Sequence, residues 1–314
     1  MCTGCKSDFR DVMLELFPNS NIFTTSNTLT CDYEIIVDFL FQLHQPPPPD
    51  ILTYDSLAEY LWNKIVINLG VRRGVNVLRI IVDKPKYLPK PRQLLHTSRS
   101  SRSGTMAESE GQIIGYGEIP SAEGFQKLLA NKALKGQLIT FLMNKFRNLA
   151  LQADMQISLI LDYEDLNQPI IIRNKAELLL PMLSNQNGEA DYNIWYHAKN
   201  TLSQNIMIVG NDTDIWVYGM ALFESGQLGN KQIRVERVIN AEYVDINHIV
   251  DACSAHPVLS RILFPANTLA TIYLLTGGDC ISHFYKTSKL IFVRAFINNF
   301  KHICNDGGLI NMTR

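Results

Sequence analysis

The stretch Asn205–Gly219, with the sequence NIMIVGNDTDIWVYG, decides how the rest of the chain is interpreted. Its first part, Ile206–Val209, is an uninterrupted apolar run that ends at a glycine. Such a run is typical of a strand buried on both faces in a parallel sheet. Two carboxylates follow it, Asp212 and Asp214, and open α/β sheets bind their ligands at the carboxyl ends of strands. The stretch therefore predicts a buried strand with an acidic site at its end.

A purely structural role is the alternative for these two acids. Asp212 could cap the helix that follows, and Asp214 could be solvated in its first turn, where negative charge is favourable. A lone Asp-x-Asp is a short motif that arises often by chance. The interpretation therefore depends on acids elsewhere in the chain.

Composition indicates a globular protein of one large or two ordinary domains. The chain has 314 residues, of which 46% are hydrophobic and 19% charged, with a formal net charge of −1. This balance excludes a disordered chain and provides no general basic field for nucleic acid. No apolar segment reaches the roughly 20 residues of a membrane helix. The first residues lack the features of a secretory signal, and six scattered cysteines do not resemble a disulfide framework, so we expect a nuclear or cytoplasmic protein without membrane contact.

A second apolar run sets the predicted fold class. Val75–Val82 is rich in β-branched residues and is followed by Asp83. We predict an α/β fold with a central, mostly parallel sheet, in which this run and Ile206–Val209 are inner strands and helices cover both faces. Ile157–Leu161 and Ile170–Ile172 are predicted to pair as a local hairpin.

Helical periodicity and end signals predict several helices. Ile35–His44 is predicted as a helix that ends at four prolines, and Tyr54–Ile67 as a helix with Asp55 as its N-cap. Gly188–Lys199 and Val258–Leu275 are predicted as two later helices.

Further acids are expected at the ends of strands or helices. Those outside the opening stretch are Asp32, Asp83, Glu189, Asp191 and Asp279. A cluster of such carboxylates needs cations to offset its repulsion, and hard ions such as Mg²⁺ or Mn²⁺ prefer oxygen ligands. Two ions about 4 Å apart would clamp a phosphodiester and generate the attacking hydroxide. The pattern thus indicates metal-dependent phosphodiester chemistry.

Three segments, Gly188–Ala198, Ile208–Asp214 and Leu274–Asp279, together resemble the flap-endonuclease and PIN-like nuclease superfamily. In both, an acidic helix, a strand ending in Asp-x-Asp and a small-residue turn ending in Asp follow in this order. The chain is most similar to transposon-associated PIN-like proteins of animals over about residues 30–290. The resemblance implies a nuclease acting on DNA or RNA with two Mg²⁺ or Mn²⁺ ions. The metal ligands that it implies are Asp32, Asp83, Glu189, Asp191, Asp212, Asp214 and Asp279. The same acids without Asp32 are its implied catalytic residues, and Lys90 joins them.

A basic segment is the candidate contact for nucleic acid. Lys84–Arg102 carries six basic residues and no acid. We predict that it forms a flexible arch over the acidic site, although such a run is equally typical of a solvated surface loop. The resemblance places Lys90, and more loosely Arg99, against the scissile phosphate. The residues expected to contact phosphates are Lys84, Lys90, Arg92, Arg99, Arg102, Lys286 and Lys289.

The chain departs from the superfamily after Asp279. A glycine-rich helix–turn–helix usually follows there, but Ile281–Leu290 lacks glycine. We therefore divide the chain into an N-terminal extension (1–30), a nuclease domain (31–280) with a basic loop at about 84–120, and a degenerate helical segment (281–314).

Other functions account less well for the acids. The main alternative is a nuclease fold that no longer cuts and binds nucleic acid or protein, since fold alone does not establish activity. A phosphatase of the haloacid-dehalogenase type would need an acid where His283 stands. A sugar transferase would leave Asp83 and Glu189 without a role. Protein partners are not indicated by the sequence.

Overall fold

The computed structural model describes residues 8–25, 32–87, 117–238, 242–276 and 289–305. The chain divides into two compact units. The central unit is Leu29–Val209, and the terminal unit combines Met1–Thr28 with Gly210–Arg314. Within the described residues, no helix combines the length and apolar character that crossing a membrane requires.

Four parallel strands form the middle of the central unit. They are β2 (Tyr33–Asp38), β3 (Val77–Ile81), β4 (Ser158–Asp162) and β7 (Asn205–Val209), in the order β7-β2-β3-β4. Nearly all their side chains are buried, as expected for parallel strands covered on both faces. Both apolar runs used for the prediction lie in this sheet, so the α/β class and the parallel arrangement of those strands are confirmed.

Two antiparallel strands extend this sheet beyond β4. β5 (Ile170–Arg173) pairs with β4, which confirms the predicted hairpin. β6 (Ala176–Leu179) pairs with β5 through a two-residue turn at Asn174 and Lys175, whose φ angles are 51° and 60°. Positive φ at both turn residues matches the right-handed twist of the strands. The sequence analysis did not predict β6, because its exposed AELL segment lacks strand alternation.

Helical segments connect the parallel strands, as crossovers between such strands require. Helix α3 begins with a capping box between Thr53 and Ser56, not at the predicted cap Asp55. The helical segments of the central unit are α2 (Phe39–His44), α3 (Tyr54–Trp62), a π-helix (Asn63–Val71), α4 (Ala122–Ala130), α5 (Lys132–Gln152), α6 (Ala190–Asn200) and two short 3₁₀ turns (Pro85–Tyr87 and Pro181–Leu183).

The predicted helix at Ile35–His44 is wrong in its first half. Tyr33–Asp38 is strand β2, which pairs with β3 and β7, and only Phe39–His44 is helical. A short apolar run that is buried on all sides has no periodicity to separate strand from helix. The correction matters for the site, because it places Asp38 at the carboxyl end of a parallel strand.

The terminal unit has three antiparallel strands in the order β1-β9-β8. These strands are β1 (Phe23–Thr24), β8 (Gln232–Arg237) and β9 (Glu242–Asp245). The unit's helices are α1 (Asp8–Leu16), α7 (Thr213–Glu224), α8 (Ile246–Ala255), α9 (Pro265–Leu275) and α10 (Lys289–Asn305), with a 3₁₀ turn at Leu259–Arg261. The helix predicted at Val258–Leu275 was too long, because α9 begins at Pro265.

Aromatic packing marks the core of the terminal unit. Phe9 of α1 stacks on the buried Trp216 of α7, with ring centroids 5.4 Å apart, and contacts Tyr273 of α9 at 4.8 Å. Large aromatic rings contribute much of the buried apolar area in a small core. Helices α1, α7 and α9 therefore share one core around Phe9.

Candidate metal centre

Asp38 is an acid that the sequence analysis did not select. It is the last residue of β2, and its Oδ1 accepts hydrogen bonds from Leu40 N at 3.0 Å and Phe41 N at 3.3 Å. The side chain thus caps helix α2 while it lies at the carboxyl edge of the parallel strands. The signal that could have found it is an apolar run ending in Asp, the pattern used for Asp83 and Asp212.

Asp83 follows β3 at the same edge and binds the start of helix α6. Its Oδ1 accepts a hydrogen bond from Ala190 N at 2.7 Å. Next to it, Lys84 N donates to Gly188 O at 2.8 Å. These two bonds bring Asp83 beside Glu189 and Asp191, which flank Ala190 in the chain. The main chain therefore places three of the predicted site residues near the start of α6.

The first turn of α6 is a favourable place for negative charge. Glu189 occupies the N-cap position, and Asp83 accepts the N–H of Ala190, the first helical residue. Asp191 lies in the first turn. The positive end of the helix dipole stabilises carboxylates there by about 0.3–1 kcal/mol each. The local backbone thus offsets part of the repulsion among the three acids.

Lys84, one of the expected phosphate contacts, has a buried ammonium group. The side chain is 3% exposed, and its Nζ lies 2.5 Å from Oδ1 of Asp162, the fully buried last residue of β4. Asp162 also contacts Nε2 of His197 at 3.3 Å. Burial lowers the pKa of His197, and the Asp162 carboxylate opposes that shift only in part. Lys84 therefore neutralises a buried acid in this conformation.

The surroundings of Asp83 include a histidine, His44, at the end of α2. Burial lowers the pKa of His44, and the positive charge of Lys135 lowers it further, while the negative charge of Asp83 raises it. Both residues therefore act electrostatically on the same imidazole. Neither His44 nor Lys135 was selected from the sequence, because an isolated histidine or helical lysine carries no signal of its own.

In the terminal unit, Asp212 and Asp214 begin helix α7. Asp212 is the N-cap, and its Oδ1 accepts the N–H of Asp214 at 3.1 Å. The hydroxyl of Tyr273 donates to Asp214 Oδ1. One carboxylate oxygen of each aspartate lies within 4.8 Å of the other, and both residues are half-buried. Asp212 can thus cap α7 and at the same time lie close enough to Asp214 for both carboxylates to contact one ion.

Asp32 lies at the other end of the strand that precedes α2. It comes directly before β2 with a φ of 72°, and Asn76 Nδ2 donates to its Oδ1 at 3.3 Å. The six steps from Asp32 to Asp38 span roughly 20 Å of extended chain. The structure therefore separates Asp32 from the carboxyl edge, where Asp38 and Asp83 lie.

Of the remaining predicted residues, only Lys289 lies in the part of the chain that the structure describes. Lys289, at the start of α10, is 1% exposed, and its Nζ donates to Tyr273 O at 2.8 Å. Its ammonium is thus turned to protein in this conformation. The residues that lie outside the described part of the chain are Asp279, Lys90, Arg92, Arg99, Arg102 and Lys286. The predicted arch also falls largely outside it.

No protein-family model matches the sequence, and no curated protein matches it at a significant level.

Proposed function

We propose that the chain is a divalent-metal-dependent nuclease of the PIN-like type, with helices on both faces of its sheet. Mg²⁺ or Mn²⁺, bound as two ions, would be the cofactor, and DNA or RNA the substrate. Carboxylate oxygens are the ligands that these hard ions prefer. Metal-bound water would supply the nucleophile at neutral pH.

The observation that carries this proposal is the hydrogen bond from Ala190 N to Asp83. It brings carboxylates from two distant segments to the carboxyl edge of the parallel strands, where open α/β sheets bind ligands. Strand β7 runs parallel to β2 and ends at that edge, and the chain continues from it into Asp212 and Asp214. We propose that these two acids act together with Glu189 and Asp191.

Each acid would have a defined part in the reaction. The acids of α6 and α7 would hold the ions, and Asp83 would orient the start of α6 while contributing its second oxygen. Asp279 is retained as a proposed ligand, and Lys90, Arg92, Arg99 and Arg102 as proposed phosphate contacts. An ion between the carboxylates would polarise the scissile phosphate and bind the attacking water.

The alternative is a nuclease-like fold without catalysis that binds nucleic acid or protein. Two hydrogen bonds favour it, because Asp212 caps α7 and Tyr273 binds Asp214. Both acids thus have structural roles that do not require an ion.

A cleavage assay separates the two functions. The purified chain would be incubated with labelled single-stranded, duplex and flap DNA and with single-stranded RNA, in Mn²⁺, Ca²⁺ or EDTA. We expect cleavage in Mn²⁺ only, and its loss by at least about a hundredfold in Asp212→Asn/Asp214→Asn. Asp251→Asn, a change on the exposed side of α8, is the matched control and should cleave normally. Binding without cleavage in any metal would favour the inactive module.

A further inference from the structure

The central unit contains a buried chain of charged side chains that the proposed chemistry does not use. Glu34 Oε2 binds Arg79 through Nε at 2.9 Å and Nη2 at 2.8 Å. Arg79 Nη1 lies 3.5 Å from His197 Nδ1, and His197 Nε2 lies 3.3 Å from Asp162 Oδ2. Asp162 ends the chain at the ammonium of Lys84. All five side chains are nearly or fully buried.

The partners of His197 determine its tautomer. A guanidinium can only donate, so Nδ1 of His197 must accept from Arg79. A carboxylate can only accept, so Nε2 must carry the proton and donate to Asp162. His197 is therefore neutral, and the charges of two acids and two bases balance along the chain. A charge-balanced network of ion pairs and hydrogen bonds is how buried charges are accommodated in a protein interior.

This network holds helix α6 at two separate points. At its beginning, Ala190 N binds Asp83 and Gly188 O accepts from Lys84 N. Two turns later, His197 binds Asp162, which in turn binds the side chain of Lys84. The two points, Ala190 and His197, are seven residues apart, which is about 10 Å along the helix. Glu189 and Asp191 lie at the first point, so their position depends on both.

We propose that His197 is a positioning residue that sets the first turn of α6 through Asp162 and Lys84. Loss of the bond between His197 and Asp162 frees one end of α6. It also disturbs Asp162, the ion-pair partner of Lys84, and the backbone N–H of Lys84 binds Gly188 at the other end of the helix. The consequence for metal binding rests on the proposed function, but the consequence for the helix does not.

Two substitutions of His197 separate its two hydrogen bonds. In His197→Gln the amide nitrogen reaches the position of Nε2 and keeps the donor to Asp162. In His197→Asn the amide oxygen takes the position of Nδ1 and keeps the acceptor for Arg79, but the donor to Asp162 is lost. Both variants are neutral and smaller than histidine, so each serves as the matched control of the other.

Hydrogen exchange of the first turn tests the positioning without any metal. In EDTA, the amides of residues 188–193 should exchange at least about tenfold faster in His197→Asn than in His197→Gln, the size expected from losing one hydrogen bond to a charged group. The inference is overturned if the two variants exchange alike in this turn, even where both are less stable than wild type. Should His197→Asn fail to fold, Lys84→Gln replaces it, because it breaks the ion pair with Asp162 and is expected to loosen the same amides.

Mn²⁺ titration then links the positioning to the site. Asparagine at this position should weaken Mn²⁺ binding by about tenfold relative to glutamine, the usual size of an outer-shell effect. A wild-type chain that binds no Mn²⁺ would refute the proposed function and leave the exchange result to decide the role of His197. Equal Mn²⁺ affinity of wild type and both variants would refute the link between His197 and the metal site.

Discussion

Asparagine substitutions at Asp212 and Asp214, made singly and together, measure whether the two carboxylates form one charged pair. Asp212 caps α7 through the Asp214 N–H, and Asp214 accepts from the Tyr273 hydroxyl. Asparagine keeps a side-chain oxygen and is as good an N-cap as aspartate. The substitutions therefore remove charge and retain both hydrogen bonds.

The separation of the two acids sets the size of the effect. Two unit charges 4.8 Å apart repel by about 0.9 kcal/mol in bulk water and by about 3.5 kcal/mol at an effective dielectric constant of about 20. Both residues are half-buried, so the repulsion lies between these limits. Each charge also gains about 0.3–1 kcal/mol from the helix dipole, which opposes the gain from its removal.

In EDTA, the two substitutions should be strongly non-additive. Either one alone removes the whole repulsion, so the second cannot remove it again. The double variant should therefore be less stable than the sum of the single effects predicts, by about 1–3 kcal/mol. Mn²⁺ at a hundredfold excess over its dissociation constant should stabilise the wild type by about 2.7 kcal/mol, and each variant much less. In Mn²⁺, the interaction free energy between positions 212 and 214 should therefore become more attractive by about 2.7 kcal/mol.

Urea unfolding of the four chains in EDTA and in Mn²⁺ provides the measurement. Asp251→Asn, an exposed position on α8, controls for the removal of a negative charge from the same unit. Effects that add within about 0.5 kcal/mol, with no dependence on Mn²⁺, would show that the two acids act as independent helix caps. The proposed metal site would then lose its basis at α7.

Two other predictions concern single acids. Asp38→Asn keeps the cap of α2 and should weaken Mn²⁺ binding by about tenfold. Asp32→Asn, at the amino end of β2, should leave Mn²⁺ binding unchanged. Equal effects of the two substitutions in an Mn²⁺ titration would contradict this assignment. Burial raises the pKa of Glu224 above its usual 4.5, although two backbone N–H groups oppose the shift. The folded chain then keeps a proton that the unfolded chain has lost, so the free energy of unfolding should fall as pH rises from about 4.5 through the pKa of the folded state. Urea unfolding between pH 4 and 7 should show this decline in the wild type and a weaker one in Glu224→Gln.

Apolar runs predicted the sheet where the run and the strand coincide. Val75–Val82 and Ile206–Val209 are bounded by polar or glycine residues, so they were predicted as inner strands, and the strand within each run pairs in parallel with β2. β2 and α2 form one continuous apolar stretch, in which burial on all sides hides the change from strand to helix. The same ambiguity concealed Asp38 at the carboxyl end of β2, whereas the predicted Asp32 lies at the amino end of that strand.

The burial and ion pairing of Lys84 could not be predicted from its neighbours in sequence. A lysine in a basic, proline-rich segment is typical of a solvated surface. Its burial depends on Asp162 and His197, which come from β4 and α6 and approach it only in the folded chain. Tertiary partners of this kind leave no periodicity in the sequence.

Asp162 and Asp83 show why position at a strand end does not by itself identify a metal ligand. Asp162 is the last residue of one buried parallel strand and Asp83 follows another, at one edge of the central sheet. Asp162 is fully buried, and the ammonium of Lys84 and the N–H of His197 offset its charge. A cation added at Asp162 would have to displace Lys84, and the buried ammonium of Lys84 would then lose its partner. Asp83 is only partly buried and accepts the N–H of Ala190 at the start of α6, where two further acids flank Ala190 in the chain. Because Lys84 is bound to Asp162, its charge is directed away from Asp83, and the acids at the start of α6 are the ones for which a divalent ion is the expected counter-charge.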